Sequence, residues 1–301
     1  MKKYRILAIV VIVLMAALLV SCKPGGNLGT EKNPITWVVV PSGETERVVS
    51  GFEEVSQMIF DETGLVIEPV VATDYAGAIE AMCSDPPKAQ MASLATFAYM
   101  LAAEKGCAEA ELVATRYGAP TYNGQIYVRA DSGIEELADL AGKSICRAGP
   151  LSTSGWIIPS ITLKAAGVNT DTDLKEVLDT GSHEESVIGV YTGDCDAGTS
   201  YVDARSNVEE DYPDVMDVIK VLEVSIDIPN DGVQYNAAMS REMRDQLNAA
   251  LLKIAESEVG QEALDVAYSW GGLIAETDTF YEEFRQLLDA AGVSPADLME
   301  E

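Results

Sequence analysis

Between Gly149 and Gly155 the chain reads Gly-Pro-Leu-Ser-Thr-Ser-Gly, so that Ser152, Thr153 and Ser154 stand together before an apolar, helically spaced stretch, Trp156 to Ala166. Hydroxyls and free amides at a helix start donate to an oxyanion without supplying a formal positive charge. The plainer use of the same residues is one serine capping the helix while the others solvate a loop. His183, the one histidine of the chain, opens another predicted helix. The helix dipole there disfavours a protonated ring and a bound anion favours one, so His183 either tracks the charge of a ligand or serves as a structurally bonded residue. Asp203 and Asp231 each follow extended runs, where a carboxylate accepts a proton from a ligand hydroxyl, meets a ligand amine, or simply caps a turn. Tyr75 and Tyr99 are helical aromatics, available to a ligand or to the core. Ser152 or Ser154 with His183 and Asp203 are also the residue types of a nucleophilic triad. No Gly-x-Ser-x-Gly elbow occurs, and a run of hydroxyls suits donation better than it suits one poised nucleophile, so no enzyme is expected.

The elements that position these residues alternate. Ile35 to Val40 is a strand, followed by Val48, Phe52, Val55 and Ile59 at helical spacing up to Gly64. Strands over 65–71 and 91–94 and helices over 75–84 and 96–105 continue the rhythm, with Asp74 as N-cap. After a long strand, 122–129, it restarts with strands at 143–147, 176–179 and 197–201 and helices at 155–166 and 184–192. Ser182-His-Glu-Glu185 has capping-box spacing. An extended run, 218–228, precedes Pro229-Asn-Asp231, and the remainder reads as helix, notably 240–258 and 280–291. Such alternation predicts mostly parallel sheets covered by helices, in two α/β domains, the chain returning at its end to the first.

The chain has 301 residues, 48% hydrophobic, which is ample for two cores, and a formal net charge of -29 that repels nucleic acid and anionic lipid. One histidine and no Cys-x-x-Cys or His-Glu-x-x-His exclude a metal site built from two or more imidazoles, and no cofactor is called for. Residues 1–22 join a basic start to an apolar run, Ile6 to Val20, too short for a membrane span, and end Leu-Val-Ser-Cys22. They read as a leader, and 23–33 as a flexible tether. Beyond Cys22 four cysteines remain, an even number that suits two disulfides outside the cytoplasm. Pairing within each segment, Cys83 with Cys107 and Cys146 with Cys195, is the economical arrangement, free thiols the alternative.

Several short segments carry a resemblance. Asp74-Tyr-Ala-Gly77, Arg129-Ala-Asp-Ser-Gly-Ile134 with Leu137-Ala-Asp-Leu-Ala-Gly-Lys143, Ser152-Thr-Ser-Gly155, Gly181-Ser-His183, Gly193-Asp-Cys-Asp-Ala-Gly198 and Ile228-Pro-Asn-Asp231 occur in this order. Together, over roughly residues 35–270, they are similar to the phosphate/phosphite/phosphonate-binding proteins of ABC importers, and Leu-Val-Ser-Cys22 resembles a bacterial lipobox. The resemblance implies a two-lobed, periplasmic-binding-protein-like (type II) α/β fold with two crossing strands and the ligand in the cleft. It places lobe 1 at 34–120 plus 229–301 and lobe 2 at 121–228. It implies binding by Ser152, Thr153, Ser154 and Gly155 with His183, Tyr75, Tyr99, Asp203 and Asp231. The cargo would be a phosphonate, phosphite or phosphate, bound by neutral donors and passed to a membrane permease by a monomeric, extracytoplasmic lipoprotein anchored through Cys22. The family often has Gly-Pro-x-Ser-Tyr where this chain has Ala95-Thr-Phe-Ala-Tyr99. Binding of a sulfonate, nitrate or a phosphorylated vitamin precursor, or ligand sensing, is compatible with the same architecture.

Overall fold

A computed structural model describes residues 27–293 and Pro295. The leader, Cys22 and the first part of the expected tether lie outside the described residues. Residues 27–33 are not a tether but a turn docked on the body, with Gly29 N–H on the Asn33 carbonyl and Val66 N–H on that of Gly29. Leu28 there reaches the core, which is apolar cover that a Gly/Asn/Pro-rich reading overlooks.

In chain order the first unit contains β1 (Ile35–Val39), α1 (Thr45–Thr63), β2 (Ile67–Val71), α2 (Tyr75–Cys83), β3 (Met91–Ser93), α3 (Thr96–Glu104) and β4 (Ala108–Thr115). The second contains β5 (Thr121–Arg129), β6 (Ser144–Arg147), α4 (Ile158–Ala165), β7 (Glu176–Asp179), α5 (His183–Thr192), β8 (Ala197–Tyr201), α6 (Val215–Val218) and β9 (Ile219–Pro229). The chain then returns through β10 (Gly232–Asn236), α7 (Arg241–Ala255), α8 (Glu258–Tyr268), β11 (Gly272–Ala275) and α9 (Glu282–Ala290).

Among the described residues there are two sheets, ordered β11-β4-β10-β3-β1-β2 and β7-β6-β8-β5-β9. Each has a parallel centre, β2-β1-β3 and β7-β6-β8, as the strand-helix alternation predicts. The expectation of mostly parallel sheets fails at the other ends, where β10 runs antiparallel to β3 and β4, and β5 antiparallel to β8 and β9. These are the strands that carry the chain between lobes, and a strand entering from the opposite lobe runs against its neighbours. The segments 116–120 and 230–231 form the two crossings.

The helix expected over 240–258 ends at Ala255, where Ser257 caps α8 by accepting from Gly260 N–H, and the expected helix 280–291 begins with a 3-10 turn, Asp278–Tyr281. β4, β10 and β11 have no counterpart in the sequence reading: β4 is rich in helix-favouring Ala and Glu, and burial between neighbouring strands overrides that propensity.

The first core is built on an aromatic ladder, Trp37 on Phe52 and Phe52 on Tyr268, with ring centroids 4.7 and 5.0 Å apart. Phe52 belongs to the apolar stripe Val48, Phe52, Val55 and Ile59 of α1, and all four are buried. Gly51 lets α8 approach, since a Cβ there would stand 2.5 Å from the Ala267 nitrogen. In the second lobe one core, around Tyr127, Val187 and Val190, and another, around Ile126, Ile145 and Leu163, lie against the sheet. Each lobe carries one disulfide, Cys83–Cys107 and Cys146–Cys195, with Cα atoms 5.1 and 5.7 Å apart. No helix among the described residues is long and apolar enough to cross a membrane.

Candidate functional site

A cavity of about 40 Å³ lies where the lobes meet. The first lobe and the crossings line it with Ser42, Arg47, Tyr75, Arg116, Asp231 and Tyr268, the second with Tyr122, Ser152, Thr153, Ser154, His183 and Tyr201. Space of that size suits a group of a few heavy atoms.

The hydroxyl run is positioned by an irregular helix start. Ser152 is the N-cap, its Oγ accepting from Gly155 N–H at 3.2 Å, and Thr153–Ile157 forms a π-turn that leads into α4. The regular helix expected from Gly155 is thus preceded by a wider turn, which brings all three hydroxyl residues to the cleft. Ser152 Oγ also meets His183 Nε2 at 3.3 Å. Thr153 Oγ1 accepts from Phe97 N–H at 2.9 Å, a bond between lobes. Gly155 does not line the cavity but cannot gain a side chain: a Cβ would come within 2.7 Å of Ser152 Oγ and 3.1 Å of His183 Cε1.

His183 is buried edge-on against Tyr201, with ring centroids 4.8 Å apart, and its Nδ1 has no protein partner among the described residues. Burial, reinforced by the charge of Arg116, pushes its pKa down to about 3. Without a bound anion the ring is therefore neutral at ordinary pH. Burial also pushes the Tyr75 hydroxyl above its ordinary range and the Tyr122 hydroxyl up to about 12, so both remain protonated donors.

Two expected site residues are elsewhere. Tyr99 donates to Asp278 Oδ1 at 2.7 Å and stacks on Tyr281 inside the first lobe, because its place in α3 faces β4 rather than the cleft. Asp203 caps a 3-10 turn and is held in a fork by Arg205, Nε to Oδ1 at 2.9 Å and Nη2 to Oδ2 at 2.7 Å. Burial alone would raise its pKa, but the hydrogen bonds from Arg205 and Gln125 lower it.

The expectation of purely neutral donors also needs correction. Arg116 Nη1 reaches Asp231 Oδ1 and Asn230 Oδ1, both at 2.6 Å, and Nη2 the Tyr268 carbonyl at 3.1 Å. Burial works against its charge, yet Asp231 raises its pKa above the ordinary value. Arg47, in the first turn of α1, binds Glu184 of α5 at 2.9 Å and the Val266 carbonyl at 2.7 Å. The sequence reading missed Arg47, Arg116, Tyr122, Tyr201, Tyr268 and Ser42. One signal was available: with Lys and Arg only 20 of 301 residues, an arginine beside Tyr-Gly-Ala-Pro, at the turn that leaves the first unit, stands out.

Two α/β lobes, two crossings and a small polar cavity between them define a solute-binding protein, a class that captures ligands by closing rather than by chemistry. Residues 37–281 match the family described as ABC transporter, phosphonate, periplasmic substrate-binding protein, and the chain belongs to it. Among its relatives are the phosphate-import protein PhnD of Mycolicibacterium smegmatis, 27% identical over 278 residues with 86% of each chain covered, and the phosphonates-binding periplasmic protein of Escherichia coli, 25% identical over 230 residues with 74% and 67% covered. Similar solved folds include a binding protein of an ABC phosphonate transporter from Pseudomonas aeruginosa, with TM-score 0.78, 23% identity and 86% and 87% covered. PhnD1 of Prochlorococcus marinus, solved with methylphosphonate, has TM-score 0.75, 14% identity and 86% and 98% covered. The chain is therefore an extracytoplasmic transport component that binds a small ligand and delivers it to a permease, not an enzyme.

Proposed function

We propose that this protein captures a small phosphorus oxyanion, namely phosphate, phosphite or a short alkylphosphonate, between its lobes, as a monomer anchored through a lipid on Cys22. The observation that carries the ligand class is the combination of the Ser152–Ser154 hydroxyls with the Arg47 and Arg116 guanidiniums around about 40 Å³. Hydroxyl and guanidinium donors converge on oxygens, and guanidinium matches a tetrahedral oxyanion in geometry as well as charge. The net charge of -29 does not oppose this. Exposed charges are screened over about 8 Å at physiological salt, whereas short bonds inside a closed cleft are not. Phosphate import by one relative and the methylphosphonate complex of a similar fold support the same class.

Ser154 and Thr153 would donate to the ligand oxygens, beside the Arg116–Asp231 pair. Both donors that reach Asp231, Arg116 Nη1 and Trp270 Nε1, end on Oδ1, leaving Oδ2 to accept a P–OH proton. The test is a thermal-shift panel of phosphate, phosphite, methylphosphonate, sulfate, nitrate and taurine. A ligand at one hundred times its dissociation constant stabilises by about 2.7 kcal/mol, so a phosphorus compound should raise the melting temperature by several degrees. A response confined to sulfate, nitrate or taurine, or none at all, refutes the ligand class. Retention of wild-type protein at the membrane, and its release by Cys22→Ser, checks the anchor.

A further inference from the structure

Asp231 and Glu184, at and beside the cleft, and Asp203, which lies outside it, are each matched by an arginine. Asp231 is held by Arg116 at 2.6 Å, Asp203 by Arg205 at 2.7 Å and Glu184 by Arg47 at 2.9 Å. Of the three, only Asp231 lines the cavity. Arg116 cannot readily swing off it, being tied also to Asn230 and to the Tyr268 carbonyl, with its guanidinium 5.3 Å from the Tyr122 ring centroid. The side chains of Arg116 and Asp231 are 16% and 12% exposed, so solvent screens the pair little.

We propose that Arg116, by neutralising Asp231, makes this site select phosphorus oxyanions that carry no amine. A ligand ammonium placed against Asp231 would lie beside the guanidinium, so attraction and repulsion nearly cancel while the ammonium gives up its hydration. The neighbouring groups offer no substitute. His183 is neutral, the Tyr122 ring faces the Arg116 cation, and Glu184, although its Oε2 has no partner among the described residues, is not a lining residue and is held by Arg47 and Asn207. The pair leaves the oxyanion itself unhindered, since Asp231 Oδ2 still accepts a hydroxyl and the Ser152, Thr153 and Ser154 hydroxyls still line the cavity. The proposal rests on the phosphorus-oxyanion reading and narrows it.

The experiment is calorimetric titration of the purified protein with methylphosphonate, propylphosphonate and 2-aminoethylphosphonate, the last two having the same length and differing in methyl against ammonium. Wild type is expected to bind 2-aminoethylphosphonate about tenfold or more weakly than propylphosphonate. Arg116→Met, which frees Asp231, is expected to reverse that ratio, while Arg116→Lys, which keeps the cation, retains it. Melting temperatures of both variants show whether each is folded. Preference of wild type for the amine, or an unchanged ratio in folded Arg116→Met, overturns the inference while methylphosphonate binding leaves the phosphorus-oxyanion reading standing. Failure of phosphate, phosphite and every phosphonate to bind overturns both.

Discussion

Arg47 of α1 and Glu184 of α5 form an ion pair across the cleft, Nη2 to Oε1 at 2.9 Å, with Glu184 8% and Arg47 31% exposed. Each sits in the first turn of its helix, one on either lobe, so the bond forms only when the lobes are together. Its loss should weaken closure more than folding. Glu184→Gln is expected to cost about 1–2 kcal/mol of ligand affinity, mostly as faster release. A double-mutant cycle with Arg47→Gln should return a coupling energy of similar size. If Arg47 acts on the ligand alone, Glu184→Gln would instead leave affinity unchanged or raise it.

The three hydroxyls of the loop should separate by readout. The Ser154 side chain bonds only to the Tyr122 hydroxyl at the cleft among the described residues, whereas Ser152 caps its turn and Thr153 accepts from Phe97 N–H. Ser154→Ala is expected to cost about 1–3 kcal/mol of ligand binding with little change in melting temperature. Ser152→Ala should lower both, by about 1 kcal/mol in stability for the lost cap. Equal thermal losses for the two would contradict the division of labour.

His183 bears on acid stability. Its pKa is depressed to about 3 in the folded protein, from 6.5 in its absence. The unfolded chain therefore takes up the proton first, and the stabilisation present above pH 6.5 is lost as pH falls toward 3, by up to about 5 kcal/mol. Urea unfolding between pH 7 and 4.5 should show wild type losing more stability than His183→Gln, the shared titration of the many carboxylates cancelling in the difference. Parallel curves for the two proteins would mean the ring is solvated in the native state.

Reduction should destabilise each lobe. The disulfides span 24 and 49 residues, and loop closure predicts contributions of about 3–4 kcal/mol each, the larger for Cys146–Cys195. Cys146→Ser/Cys195→Ser should lower the melting temperature more than Cys83→Ser/Cys107→Ser. Scanning calorimetry of both double variants measures it.

Local signals were read from sequence with little error where they were strong. The strand Glu176–Asp179 and the strand Ala197–Tyr201 have the expected limits, and Ser182 and Asp74 cap their helices by accepting from Glu185 and Gly77 N–H. Tyr75, Ser152, Thr153, Ser154, His183 and Asp231 were brought to one cavity. What escaped depends on distance along the chain. Arg116 and Asp231 are 115 residues apart, and Arg47 and Glu184 are 137 apart, so no window of sequence contains either pair. The same holds for β10 between β3 and β4, whose strand character comes from partners far away in the chain. Tyr99 and Asp203 failed differently: the residue type fitted, but one turn of helix and one neighbouring arginine directed each elsewhere.

The two crossings are cross-braced. Asn230 N–H binds the Pro120 carbonyl at 2.9 Å, Asn230 Nδ2 binds that of Ala119 at 3.1 Å, and Arg116 of one crossing grips Asn230 and Asp231 of the other. Two residues that line the cavity, Arg116 and Asp231, are thus also the pins that join the two crossings. Retargeting the protein to another cargo through residues 116 and 231 would change the stiffness of that joint at the same stroke.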